Sequence, residues 1–376
     1  MKCIKIAVIF LMFAAAFSIS ALGVSTEELY DEQMEASGIF DLYDELSSES
    51  KAVLEELGMD DLDFKSVFNA SPRKIADAVL NIIKKKSTDP LKTLFAVLGV
   101  VLLTSLAQCF TDAGSGVRSA VEMFGALLTA TLLASPLASA MNLAFSTVRL
   151  SSNVALAFVP VLAGVIAASG NPMLAISAHS FTFAAAQGAM QLINRFVMPM
   201  TGVVTALGIS GSFMPEFNIK KLTETVKKAL VWVMASASTL FAGLLSIKGI
   251  LANSADTLAS KGVKLAVNTF VPIVGSAVSE AYSSVIGSAA LVRSAVGAFG
   301  IAAILVTKLP ALVELILWRL IVRVSNFTAD MLNESAISSL TSAADCSLSV
   351  MIAGLVMSTV FVIVSAGITL LLRTEV

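Results

Sequence analysis

From Leu94 to the C-terminus the chain is a succession of apolar stretches, each about as long as a bilayer is thick, separated only by short turns. That pattern fixes the solvent as lipid and removes water-soluble enzymes from consideration. Composition agrees: of 376 residues, 56% are hydrophobic and 14% charged, and the mean hydropathy is +0.86, above what a soluble domain of this length keeps in solution.

The N-terminus carries Lys2 and Lys5, an apolar run from Ile6 to Phe17, and then Ser18, Ser20, Ala21 and Gly23. This layout predicts a secretory signal cleaved after Gly23 or Ser20, with a retained first helix as the alternative. Cys3 precedes the apolar run and so is not placed for lipid attachment. Cys109 and Cys346 leave at most one pair after processing and predict neither a disulfide framework nor a thiolate metal site.

Charge is uneven. Of the 27 acidic residues, 16 lie between Val24 and Pro90 against seven Lys or Arg, which predicts a small, acidic, exported helical domain over residues 24–90. Ser25 with Glu28 forms a capping box, and Ser71 followed by Pro72 is a second helix start. From there Ile75, Ala76, Val79, Ile82 and Ile83 share one face, while Lys84, Lys85 and Lys86 lie off it and oppose the positive-inside tendency.

Residues 91–376 read as the membrane domain. Nine candidate spans run from Leu94 to Phe110, Val121 to Phe145, Ser152 to Ser169, Met173 to Asn194, Phe196 to Phe213, Ala229 to Ala252, Leu265 to Val292, Ala295 to Trp318 and Ser347 to Leu372. Starting outside, nine crossings leave Arg118, Lys220, Lys221, Lys227, Lys228, Arg293 and Arg373 in the cytoplasm. The spans around Pro199 and Pro272 are weak and read as broken or re-entrant helices. The fold class expected is therefore all-α: a polytopic membrane helix bundle of about seven to nine spans, preceded by a signal peptide (1–23) and the exported domain.

Phe-Val-Pro at Phe158 to Pro160 recurs at Phe270 to Pro272, which suggests a parallel repeat relating 121–213 to 229–372. Pro160, Pro199 and Pro272 are the expected helix-break positions. Between Arg319 and Asp345 the pattern becomes amphipathic, and an interfacial helix is expected.

Chemistry-bearing motifs are few. His179 is the sole histidine, so no His-Glu-x-x-His metal pair exists, and no Walker-type phosphate loop is present. Gly208 to Gly211 spells a Gly-x-Ser-Gly signature, but the histidine precedes the serine and close packing is the better reading. No catalytic residue, cofactor, metal or nucleic-acid partner is expected, and the chain is not read as an enzyme. The remaining signal is polar residues inside apolar helices, which cost free energy and so face protein or water. Ser180, Gln187 and Asn194 repeat every seven residues with Gln191 near the same line and Arg195 at its end. Glu280, Lys308 and Glu314 are the deepest ionisable residues of the later spans. Together these eight are the candidate lining of a path or seam between helices.

Four stretches, LSSNVALAFVPVLAGVIAASGNP (Leu150 to Pro172), FVMPMTGVVTALG (Phe196 to Gly208), KGVKLAVNTFVPIVGSAVSEAYSSVIGSA (Lys261 to Ala289) and LPALVELILWRLI (Leu309 to Ile321), resemble the stage III sporulation protein AE family. The resemblance implies a multi-pass subunit of the channel, or feeding tube, joining mother cell and forespore during sporulation. It places the protein in the mother-cell membrane facing the forespore, with its N-terminal domain in the intermembrane space. Implied partners are other proteins of the stage III sporulation A operon, including a cytoplasmic ATPase and ring-forming intermembrane proteins, a forespore-side channel partner, and membrane lipid. A scaffold that anchors partners without conducting, and a stand-alone secondary transporter, are the alternatives.

Overall fold

The computed structural model describes residues 46–57, 72–112, 116–168, 188, 190–211, 221–241, 243 and 275–371, with side chains over 155–168, 275–295, 297–298 and 362–371 excepted. The signal segment, Ser180, Gln187, Pro272 and the second Phe-Val-Pro copy lie outside these residues, as does the side chain of Glu280. Everything described is helical or a short connection between helices.

Ser47 accepts a hydrogen bond from the Ser50 backbone N–H (3.2 Å) and so caps α1, Ser48–Leu57. Proline at the first helical position opens α2, Pro72–Lys86. Ala78 and Ile82 are its buried side chains, whereas Ile75 and Leu80 are exposed, so the packed face is rotated from the one periodicity suggested. After Ser87 the chain continues as α3, Thr88–Cys109.

The next helix, α4, runs unbroken over Gly116–Ala168. Two expected spans therefore lie on one helix of about 80 Å. The segment around Arg149 holds a charge but no glycine or proline, and charge alone does not end a helix. Nor does Pro160 break it, since the helix continues to Ala168.

Met190–Gly211 forms α5, again continuous where a break was expected at Arg195. Here the sequence did leave a mark: Ile193–Val197 is a π-helical turn, and the Met198 N–H bonds the Ile193 carbonyl. Pro199 follows directly and lacks the N–H that an α-helical bond to Arg195 would need, so one widened turn absorbs the proline.

Residues 221–241 form α6, and α7 extends over Gly275–Met331 through Arg293 and Pro310. The last helix, α8, is Ser335–Leu371. Between them Asn333 adopts φ 59°, the Glu334 N–H reaches the Ala329 carbonyl (2.9 Å) and the Asn333 N–H the Asp330 carbonyl (3.2 Å). This is a Schellman turn with asparagine in the left-handed position. It makes Arg319 to Asp345 the closed end of a helical hairpin instead of an interfacial helix.

Side-chain contacts fix the helix directions. α7 and α8 are antiparallel; α6 runs with α8, as Cys346 to the Thr223 carbonyl and Phe241 edge-on to Phe361 (5.0 Å) require. α5 opposes α8 with Gly208 against Ala343. α3 runs with α7: Lys86, just before α3, pairs with Glu314 of α7 (3.1 Å), and Gln108 near the end of α3 bonds Glu334 just beyond α7 (2.8 Å). α4 opposes α3, and a Cβ at Gly125 would sit 2.4 Å from Thr104 Oγ1. The C-terminal ends of α3, α5 and α7 and the starts of α4, α6 and α8 thus share one end of the bundle, which also carries Arg118, Lys221, Lys227 and Lys228.

Five helices are long and apolar enough to cross a membrane among the described residues: Thr88–Cys109, Gly116–Val154, Met190–Gly211, Phe299–Met331 and Ser335–Phe361. Because lipid is as apolar as a leucine side chain, close packing and hydrogen bonds hold such helices together. Gly125, Gly208 and the alanines of the common core, including Ala126, Ala140, Ala144 and Ala303, meet that need.

Candidate functional site: a buried polar seam

Along the α7–α8 hairpin, polar side chains meet at successive levels. Lys308 is fully buried and its Nζ donates to Ser358 Oγ at 2.6 Å. Among the described residues no carboxylate lies within ion-pair distance of it. Toward the turn, Arg319 (2.9 Å) and Arg323 (3.1 Å) share Asp345 Oδ1. Thr341 donates to Asn326 Oδ1 at 3.0 Å, and Ser338 donates to Asp330.

At the turn itself Gln108 of α3 donates to Glu334 Oε2, while the other oxygen of this fully buried carboxylate has no partner. Glu122 of α4 accepts from Ser335 Oγ and from the Ala336 N–H (3.0 Å), so it caps α8 from another helix. Burial first, and then the charge of Glu122, push the Glu334 pKa up to about 7 against the opposing pull of Gln108 and Arg118.

The seam runs from the interior of the bundle to its surface: Lys308 and Glu334 are fully buried, Arg319, Asn326 and Asp345 half-buried, and Arg323 and Asp330 exposed. Ile316, Leu320, Phe327 and Met331, beside it on the same helix, are more than half exposed. Polar groups set in apolar surroundings pair with one another. The spacing of Arg319, Arg323, Asn326, Asp330 and Glu334 at steps of four, three, four and four marks one face of the chain as polar, and that face meets the polar residues of α8. Their partners Gln108, Glu122, Ser338, Thr341 and Ser358 carried no such signal, being single polar residues in small-residue or apolar runs.

Of the expected stripe on the fourth span, Ser180 and Gln187 lie outside the described residues. Gln191 and Arg195 are exposed and Asn194 half-buried, and among the described residues neither Gln191 nor Asn194 hydrogen-bonds another side chain. Glu314 pairs with Lys86, which also reaches Glu49 of α1 at 3.3 Å. Burial disfavours the Lys86 ammonium, but the hydrogen bond and charge of Glu314, with Glu49 added, hold its pKa above the ordinary lysine value. In the Gly-x-Ser-Gly segment Gly208 is buried against α8 while Ser210 is exposed, a packing arrangement.

The stage III sporulation protein AE family model matches residues 56–372. The chain belongs to that family. A similar protein is stage III sporulation protein AE of Bacillus subtilis (strain 168), 24% identical over 174 residues, which cover 46% of this chain. The chain spans 44% of that relative's length, less than half. No solved structure matches the chain. Membership makes this a sporulation protein, and its apolar helices associate it with membranes.

Proposed function

We propose that this protein is a membrane subunit of a multi-protein channel between mother cell and forespore, and that the α7–α8 seam contributes to its path. The observation that supports this is the seam itself: ionisable and hydrogen-bonding groups paired at successive levels between two long apolar helices, where anchoring alone requires none. On this reading residues 91–376 form the membrane domain in the mother-cell membrane. Residues 1–23 are the export signal, and 24–90 face the intermembrane space. Its partners are other proteins of the same operon, a cytoplasmic ATPase among them, and the forespore-side channel protein; energy comes from those partners.

The test replaces the seam with isosteric apolar groups. Asn326→Leu with Thr341→Val should leave abundance and complex assembly intact and abolish small-molecule passage into the forespore. Normal passage in that variant would leave only the scaffold role.

Orientation follows from the shared end. If α3 to α8 each cross once, the end with Arg118, Lys221, Lys227 and Lys228 is cytoplasmic, and both termini lie on the other side. On that count the described helices make six crossings, against the seven to nine expected from the sequence, and residues 169–187 and 244–274 lie outside the described residues. Single cysteines decide it: Arg373→Cys should be labelled from outside, with Arg149→Cys and Ser254→Cys labelled and Lys220→Cys protected as controls. Nine crossings require protection at 373.

A further inference from the structure

We propose that the junction of α3, α4, α7 and α8 is a proton-binding site: Glu334 holds a proton while the junction is closed, and its release loosens the turn end of the seam. The inference stands apart from the channel reading, since it concerns one carboxyl group and its surroundings.

Glu334 is fully buried, and only one of its oxygens has a donor, Gln108 Nε2 at 2.8 Å. Oε1 has none. An ionised carboxylate would place charge on that bare atom away from water, where an unpaired charge costs far more than an unpaired neutral group. Of the charged neighbours only Arg118 favours the ionised form, and burial together with Glu122 outweighs it. From α4 come Glu122, of the same sign, and Arg118; from α7 comes Asp330, occupied with Ser338; α3 contributes neutral Gln108, with Asp112 exposed beyond it; α8 brings no charge before Asp345. Glu122 is itself held in place by its cap on Ser335 and Ala336, so it cannot swing away to relieve a second negative charge.

The carboxyl pKa of about 7 accords with this geometry. The sign follows from linkage. The folded junction keeps a proton that the unfolded chain releases near the ordinary glutamate value, so stability is highest in acid, falls as pH rises between the two values, and is level above about 7. Deprotonation leaves two carboxylates at the one point where the ends of α3 and α7 meet the starts of α4 and α8. The junction is therefore the part of the bundle that responds.

The full chain in nanodiscs allows a direct reading by infrared titration of the protonated-carboxyl C=O band, with thermal unfolding followed in parallel. Wild type should show a band that disappears with a midpoint near pH 7, and an unfolding midpoint that falls between about pH 5 and about pH 8. Glu334→Gln should lack that band and hold its unfolding midpoint level. A Glu334→Gln protein that keeps both the band and the wild-type pH response overturns the proposal. Should that variant fail to accumulate, Glu122→Gln supplies the second reading, because its amide oxygen can still cap α8 while the negative neighbour is gone. Its C=O midpoint should drop by about half a pH unit or more; an unmoved midpoint overturns the proposal equally.

Discussion

Replacing Gly208 with alanine is expected to force α5 away from α8 and to destabilise the bundle by on the order of 3 kcal/mol. The added Cβ would lie 1.9 Å from Ala343 Cβ, and the next neighbour is backbone, Ala343 Cα at 3.4 Å. No flexible side-chain end is available to move aside. Between helices that rely on close approach, a gap of one methyl group is transmitted along the interface, including the Thr205–Ser347 hydrogen bond (2.8 Å) one turn away. Ala343→Gly should restore stability in the double variant, because it vacates the volume that the new methyl needs. Thermal unfolding or limited proteolysis in detergent measures both. An alanine variant as stable as wild type would mean that α5 and α8 do not touch at this point.

The second large effect is expected at Asp345. Substitution by leucine leaves Arg319 and Arg323 with no shared anion, two like charges side by side on an apolar helix. Breaking a fully buried pair from one side costs about 3–5 kcal/mol. Asp345 and Arg319 are only partly buried and the Arg323 side chain is 59% exposed, so solvent screening brings the loss below that range, to on the order of 1–2 kcal/mol. Removing all three charges, as Arg319→Leu, Arg323→Leu and Asp345→Leu together, should recover most of the loss, since no orphan then remains. Cellular abundance and unfolding of the two variants separate these outcomes; a triple variant no better than the single one would show that the charges do more than neutralise each other.

Much of this was readable in the residues. The apolar run lengths gave an all-helical membrane protein, Pro72 marked the start of α2, and Phe-Val-Pro with its neighbours pointed to the family. The turns were misplaced for a physical reason. Arg149, Arg195 and Arg293 read as boundaries in the sequence because charges usually sit at membrane edges, yet helices end where backbone hydrogen bonds stop, and none of these three segments stops them. Pro199 shows the intermediate case, in which the proline widened one turn without ending the helix. For the candidate site, Lys308 and Glu314 were visible as intramembrane charges, but their partners Ser358 and Lys86 lie 50 and 228 residues away along the chain. Periodicity reports which residues share a face; it does not report which solvent that face meets.

The Schellman turn at Asn333 gives the hairpin a property that no single contact has. From Glu334 up to Lys308 the two helices match polar group to polar group over roughly 39 Å. Sliding α8 by one helical turn, about 5.4 Å, would take Ser358 from Lys308, bring Gly354, Leu355 or Phe361 to it, and part Asp345 from both arginines. Each mismatch costs what an orphaned polar group costs, and the costs accumulate. The seam therefore works as a ruler: a nearly featureless pair of apolar helices, able to pack in many registers, is restricted to one. A single residue inserted after Asn333 would be felt at Lys308, at the far end of the hairpin.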